Sequence, residues 1–472
     1  MTPVGILETL SEGLWYLPLI MIVLLGIYST IRLGGVQIAG IAEMLRATFR
    51  RDEGSDKPTP FQVFCMSMGN RIGVGNITGP VLAVTVGGPG AILWMWVFAF
   101  LGTATSFLET TVGQMYKSRG PDGRFRGGPA FNILKGLGMR RVSLAVAFIM
   151  VLMYILGFVS MEVSSMSEAI DGAFGCGTLA IALALTALTA YIVLGGMTRV
   201  ARLSTAIVPA MGVLWLAFCC ICIASSDGSV ASAFSMIADC AFSVPSAIGG
   251  GVGAMLIIGM KRGVLSNEAG VGTITNISSI ANVSHPVRQG YSQALGVIID
   301  TVVSTLTALV VLSYGSFDEI WTLFQAEGES INLLQGVMAA SVGDVAPYIV
   351  ALFLFVFAFT SLMSDYVIGE NNLVFITGSR RARVAMCVFL LAVVFLSGFY
   401  ASDALFAIVD ILLAVCGVIN CLVMFKLGGR AVEAYRDYRR QRSEGVETPE
   451  FRKGCIVDDE GLTEWGRPAR CI

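Results

Sequence analysis

Two stretches of this chain set glycines beside polar and charged residues inside otherwise apolar sequence. The first is Gly69-Asn70-Arg71-Ile72-Gly73-Val74-Gly75-Asn76-Ile77-Thr78-Gly79-Pro80. The second is Lys261-Arg262-Gly263-Val264-Leu265-Ser266-Asn267-Glu268-Ala269-Gly270-Val271-Gly272. A glycine costs about 1 kcal/mol per helical position against alanine, and polar or charged groups at membrane depth cost several kcal/mol more. A segment that accepts both is expected to unwind. Unwound backbone inside a membrane is tolerated only where protein surrounds it or where it lines a wet cavity. There it offers free N–H groups at the start of the next half-helix, which suit an anionic group, and free carbonyls, which suit a cation. Close helix packing alone would account for Gly195-Gly196 or Gly249-Gly250-Gly251. It does not account for Asn70, Arg71, Asn76, Asn267 and Glu268 beside the glycines.

The elements that carry these stretches follow from composition. The chain has 472 residues, 55% hydrophobic and 14% charged, with a mean hydropathy of +0.76. Soluble domains run about 45–50% apolar and about 25% charged. The excess must face lipid, so the fold class is an all-α polytopic membrane protein in a bilayer. A net charge of −2 gives no footprint for nucleic acid. The 11 cysteines lie mostly in or beside apolar segments and read as packing residues. With one histidine, His285, the chain is not read as holding a metal cluster.

Eleven candidate spans run roughly over 13–34, 61–87, 89–116, 142–170, 177–196, 203–225, 244–282, 289–315, 346–370, 384–400 and 404–426. No Lys or Arg precedes Arg32, so the first apolar run lacks the basic start of a signal peptide and reads as a retained helix. Lys and Arg crowd segments 35–60 and 117–141, while 226–243 and 316–345 carry acids and no Lys or Arg. That asymmetry places the N-terminus outside and the C-terminus in the cytoplasm of a multi-pass cell (inner) membrane protein. The polar end of the chain is expected to extend as helix over Glu433–Arg442 and then to be disordered.

Spans two to six and seven to eleven form two sets of five, each opening with a broken helix. Five is odd, so the sets have opposite orientations. Paired discontinuous segments in corresponding halves point to a transporter binding site. The division expected is an extra N-terminal transmembrane helix over 1–34, a first five-helix repeat over 61–225, an inverted second repeat over 244–427 and a cytoplasmic tail over 428–472.

At these residues the chain resembles the alanine/glycine:cation symporter family, whose known members include sodium:alanine symporters. The stretches that carry the resemblance are Arg-Ile-Gly-Val-Gly-Asn-Ile-Thr-Gly (71–79), Gly-Gly-Pro-Gly-Ala-Ile-Leu-Trp-Met-Trp (87–96), Gly-Gly-Pro-Ala-Phe-Asn-Ile (127–133), Arg-Gly-Val-Leu-Ser-Asn-Glu-Ala-Gly-Val-Gly (262–272), His-Pro-Val-Arg-Gln-Gly (285–290) and Ile-Asp-Thr (299–301). The resemblance implies the LeuT-like five-plus-five inverted repeat with one extra N-terminal transmembrane helix. It also implies uptake of a small neutral amino acid such as alanine or glycine, coupled to sodium, by alternating access, with sodium as the co-transported ion and no organic cofactor. A monomer suffices for such transport. The substrate residues it suggests are Gly73, Gly75, Asn76, Glu162, Ser266 and Asn267. The Gly-x-Gly-Asn at 73–76 is also similar to that of neurotransmitter:sodium symporters. By that resemblance, sodium would meet the carbonyls of Gly69 and Ile72 and the hydroxyls of Thr360 and Ser361. Hydroxyl back-bonding to the helix is the alternative for the last two.

The chain departs from the family pattern in three places. Val74 replaces a usual threonine. Glu162 stands where a neutral amide is common, and Asp365 follows Ser364 where an aromatic is common. Acids at membrane depth are expensive and pair or titrate, so a proton-coupled permease using Glu162 or Asp365 is the alternative function. Arg71 and Arg262 are expected to hold the unwound segments through carbonyls or Glu268. Glu109, Asp300 and Asp410 are expected to be packing and gating partners. A membrane-embedded enzyme is the distant alternative, since no nucleophile–base pair or HExxH motif is present.

Overall fold

The computed structural model describes residues 3–50, 58–226, 228–243, 251–328, 330–400 and 402–466. The chain is almost wholly helical. The main helices in order are α1 (Pro3–Arg32), α2 (Pro60–Arg71), α3 (Gly75–Gly87), α4 (Ala91–Met115), α5 (Arg140–Phe174), α6 (Thr178–Val193), α7 (Gly196–Ser225), α8 (Gly251–Asn267), α9 (Val287–Leu312), α10 (Ala346–Ile376), α11 (Arg380–Ser397) and α12 (Asp403–Ser443). Seven helices among the described residues, α1, α4, α5, α7, α9, α10 and α12, are long and apolar enough to cross a membrane.

The two glycine-rich stretches do break their helices. α2 starts at a capping box in which Thr59 and Gln62 exchange side-chain and backbone hydrogen bonds, and it stops at Arg71. Ile72 leaves helical geometry with φ −82° and ψ 74°, and α3 restarts at Gly75. α8 ends at Asn267. Glu268 then has φ 49°, the one non-glycine residue with positive φ among the described residues, and Gly270 and Gly272 follow at φ 93° and 82°. Non-helical chain leads to a short turn at Thr275–Ser278. The first seven residues of the span expected over 244–282 lie outside the described residues.

Lipid-facing and packed surfaces separate along α1. Leu17, Ile20, Leu24, Ile27 and Ile31 recur every three or four residues and are exposed, whereas Trp15, Leu19, Ile22 and Leu25 are buried. A helix apolar on both faces, one packed and one open, is what a bilayer solvent requires. The packed face of α1 lies along α12. α9 packs on α4 and α10 on α5, so the two broken segments are enclosed by neighbouring helices.

Two elements differ from expectation. The segments between spans expected as loops contain helices at Val230–Cys240, Phe317–Glu327 and Ser330–Val342. The chain beyond α12 is not disordered over its described part. Residues 444–466 fold back with Phe451, Ile456, Leu462 and Trp465 buried. Phe451 N–H donates to Ser284 O at 2.9 Å and Trp465 Nε1 to Met115 O at 3.0 Å. The helical extension through Glu433–Arg442 is present within α12.

Candidate functional site

A cavity of about 660 Å³ lies between the two breaks. Gly73, Val74 and Gly75 line it from the first break, Leu265 and Glu268 from the second, Met161 and Glu162 from α5, and Ser361 and Asp365 from α10. Ser11 and Glu12 of α1 and Phe406 of α12 also line it. A carboxylate could lie against the start of α3 at Val74 and Gly75, since the N–H groups of Gly73, Asn76, Ile77 and Thr78 already donate to the carbonyls of Arg71, Gly73 and Val74. α5 reaches this site through a run of wide turns at Met153–Phe158, just before Glu162. Such turns re-aim the following helix face and frequently mark functional sites.

Arg71 joins the two breaks. Its Nε donates to Asn267 O at 3.0 Å. Nη1 donates to Gln293 O at 2.9 Å and Gln293 Oε1 at 3.2 Å, and Nη2 donates to Ser106 Oγ at 2.9 Å. A Cβ on Gly296 would sit 2.2 Å from Nη1, so the guanidinium fits only because that residue is glycine. With its donors taken up by protein oxygens, Arg71 acts as a strut, the carbonyl-holding role expected for it. Glu268 accepts from Thr273 Oγ1 at 2.6 Å and from Tyr154 Oη at 3.3 Å. Glu109 accepts from Gly270 N–H at 3.2 Å and Asn420 Nδ2 at 3.0 Å, which holds the second break from α4.

The candidate residues divide into two groups. Gly73, Gly75, Glu162 and Ser361 face the cavity. Asn76, Ser266 and Asn267 do not line it; they lie behind the breaks, with the first two gathered on Asp300. Asn76 Nδ2 donates to Asp300 Oδ1 at 2.5 Å and to Ser304 Oγ at 3.3 Å. Ser266 Oγ donates to Asp300 Oδ2 at 2.7 Å and lies 3.2 Å from Ser304 Oγ. Asn76 Oδ1 is buried without a partner, and Ser266, Asn267, Asp300 and Ser304 border a cavity of only about 10 Å³. This cluster of carboxylate, hydroxyl and amide oxygens is the donor set hard cations prefer. Sequence reasoning passed over Ser304, although its i+4 spacing from Asp300 puts both on one face of α9.

Gly69 and Ile72 lie in the packed interior near α10. A Cβ on Gly69 would be 3.3 Å from Thr360 O, and Ile72 is buried. Thr360 Oγ1 back-bonds to Phe357 O at 3.0 Å. Ser361 Oγ instead points at the first break, 3.2 Å from where a Cβ on Gly73 would be; Glu162 Oε1 lies at the same 3.2 Å.

The end of the bundle bearing Asn276 does not line this cavity and is closed by side-chain contacts. Asn371 and Asn372 both donate to Asn276 Oδ1, at 2.8 and 2.9 Å. The strands β1 (Ser118–Arg119) and β2 (Phe125–Arg126) form an antiparallel hairpin there. Arg126 bridges Asp122 at 2.9 Å and Glu370 at 3.5 Å. Lys117 Nζ is buried 4.1 Å from the Phe125 ring centre and 4.7 Å from that of Trp465, and burial pushes its pKa down to about 7. His285 is held below its ordinary pKa by burial, 3.5 Å from Asp437.

A sequence model of the sodium:alanine symporter family matches residues 3–453. The chain is 34% identical over 457 residues to the amino-acid carrier protein AlsT of Bacillus subtilis, covering 96% of each. It is 35% identical over 459 residues to the probable sodium/glutamine symporter GlnT of the same organism, covering 96% of this chain and 94% of that one. It is 32% identical over 410 residues to a sodium/proton-dependent alanine carrier protein of Bacillus sp. strain PS3, covering 83% of this chain and 90% of that one. Among solved structures, a Na+-coupled sialic acid symporter superposes with a TM-score of 0.51 at 13% identity, covering 90% of this chain and 86% of that one. That likeness concerns the fold.

Proposed function

The chain belongs to the sodium:alanine symporter family, a family of membrane transporters, and on that premise we propose that it imports a small neutral amino acid together with sodium by alternating access. The observation that carries this reading is the pair of broken helices, tied by Arg71 to Asn267 and both bordering one cavity. In this reading the substrate carboxylate lies beside Gly73 and meets the N–H group of Gly75, and its ammonium meets Glu162. Asn76 and Ser266 act one layer behind, holding sodium with Asp300 and Ser304. The hydroxyl of Ser361 with the carbonyls of Gly69 and Ile72 is the second place for a cation. The names of relatives support alanine or glutamine as the substrate.

The architecture proposed is eleven spans: the seven long helices, the two broken ones, α6 and α11. They are read as five-plus-five inverted repeats over 61–225 and 244–427, after the extra helix of 1–34. The N-terminus is outside and residues 428–472 are cytoplasmic, so the side of the cavity lined by Ser11 and Glu12 faces outward. The protein is not an enzyme, needs no organic cofactor and works as a monomer. Rocking of one helix set against the other would open the closed end. By linkage, sodium and substrate raise each other's affinity equally.

The test is uptake of labelled alanine, glycine and glutamine into proteoliposomes under an inward sodium gradient, an inward proton gradient or none. Sodium-driven uptake of one of them, with the sodium requirement weakened at least tenfold by Asp300→Asn, is expected. Uptake driven by protons alone would favour the permease reading through Glu162 or Asp365, which both face the cavity. Absence of uptake under every gradient would defeat the proposal.

A further inference from the structure

Glu162 and Asp365 are two carboxylates with no cation of their own. Glu162 is 8% exposed and Asp365 2%. Both line the main cavity, and Glu162 Oε2 and Asp365 Oδ2 have no hydrogen-bond partner. Three cations border the cavity, Arg71, Lys261 and Arg262; Arg262 has Asp410 as its acidic neighbour, and the other two are engaged elsewhere. Arg71 is taken up by Asn267, Gln293 and Ser106, and Lys261 pairs with Asp410 at 2.6 Å. Glu268, another acid of the cavity, has Thr273 and Tyr154 as donors. A buried charge without a partner is costly, and removing one member of a buried pair leaves a large penalty. This cavity therefore leaves two carboxyl positions that are ionised only when a cation entering it pairs with them.

We propose that, beyond small neutral amino acids, this cavity accepts and prefers α-amino acids that carry a second amino group. The inference rests on the amino-acid reading of the site given above. Glu162 lies beside Gly73, with its Oε1 3.2 Å from a Cβ placed on that residue, where the α-ammonium of a substrate anchored at the first turn of α3 would lie. Asp365 follows Ser361 by four residues on α10, about one helical turn or ~6 Å further along. That separation is roughly the reach of a side chain with two or three methylenes. A cavity of about 660 Å³ holds such a substrate with room to spare. A neutral amide would hydrogen-bond to Asp365 but would leave its charge uncompensated. An ammonium does both.

Wild-type protein, purified in detergent with sodium present, would be titrated with ornithine and with norvaline, its neutral analogue lacking the second amino group. Thermal stabilisation is read first, then competition against labelled alanine uptake in proteoliposomes. Ornithine acting at concentrations at least tenfold below norvaline supports the inference. Norvaline acting equally well or better overturns it. The thermal titration reads this even where alanine is not transported, so failure of the transport reading and failure of this inference stay distinct. In Asp365→Asn the ornithine-to-norvaline preference is expected to fall at least tenfold, and an unchanged preference overturns the assignment. A variant that shifts the half-saturating sodium concentration and leaves the preference intact assigns the acids to a cation and also overturns it. Glu162→Gln provides a second substitution should the first fail to fold.

Discussion

Arg71→Lys tests whether the two breaks are held together as described. The guanidinium donates from three nitrogens to Asn267 O, Gln293 O and Oε1, and Ser106 Oγ, all between 2.9 and 3.2 Å. A lysine ammonium keeps the charge but is a compact point donor, without the planar fork that spans these acceptors. Retaining two of the four contacts and losing two charge-assisted hydrogen bonds, at about 1.5–3 kcal/mol each, gives a loss of about 3–6 kcal/mol. The assay is the thermal midpoint of the detergent-solubilised protein, with and without sodium, followed by uptake in proteoliposomes. A fall of several degrees with uptake reduced at least tenfold is expected. Gly296→Ala, whose Cβ would meet Nη1 at 2.2 Å, should reproduce the same loss with Arg71 intact. A lysine variant with an unchanged midpoint and a raised KM alone would refute the reasoning, because it would place Arg71 on the substrate.

Two further expectations concern the closed end. Lys117 is held down to about 7 by burial, so between pH 7 and its ordinary 10.5 the undocked state binds more protons than the docked one. Docking of the tail therefore strengthens as pH rises, by roughly 2 kcal/mol from pH 7 to 9, and stays level below pH 7; Lys117→Met should flatten this dependence, read as the distance between spin labels on the tail and on α5. Trp465→Ala removes a buried side chain and its bond to Met115 O, a local loss of about 3–5 kcal/mol. Trypsin cleavage at Arg452 and Lys453 should then accelerate at least tenfold, and unchanged cleavage would show that Trp465 does not hold the tail.

The positions of the breaks were legible because glycine, asparagine and charge coincide in apolar sequence, and no continuous helix would place Arg71 or Glu268 there. The strut role of Arg71 was legible for the same reason: a cation at that depth must find oxygens. The division between Asn76 and Gly75, or between Thr360 and Ser361, was not. Neighbours in sequence point to different faces, and which face meets the cavity depends on how α3 sits against α9 and α10. Asn76 was expected at the substrate, yet it turns to Asp300. The folded tail was illegible because its four buried apolar residues have no period. They dock on main-chain oxygens and aromatic rings from distant segments, and composition carries no trace of those partners.

The tail also changes what the C-terminus of this molecule is. Trp465 reaches the end of α4, Phe451 the link before α9, and Lys135, ahead of α5, donates to Thr463 at 2.6 Å. Three helices that must shift against one another for the closed face to part are thus cross-braced by a single non-helical ribbon. Access from that side and release of the ribbon are then one equilibrium. Whatever grips the free ribbon, whether antibody, resin or neighbouring protein, draws the population towards opening by its own binding free energy. A purification handle placed directly after α12 would be an effector of the cycle rather than a passive label.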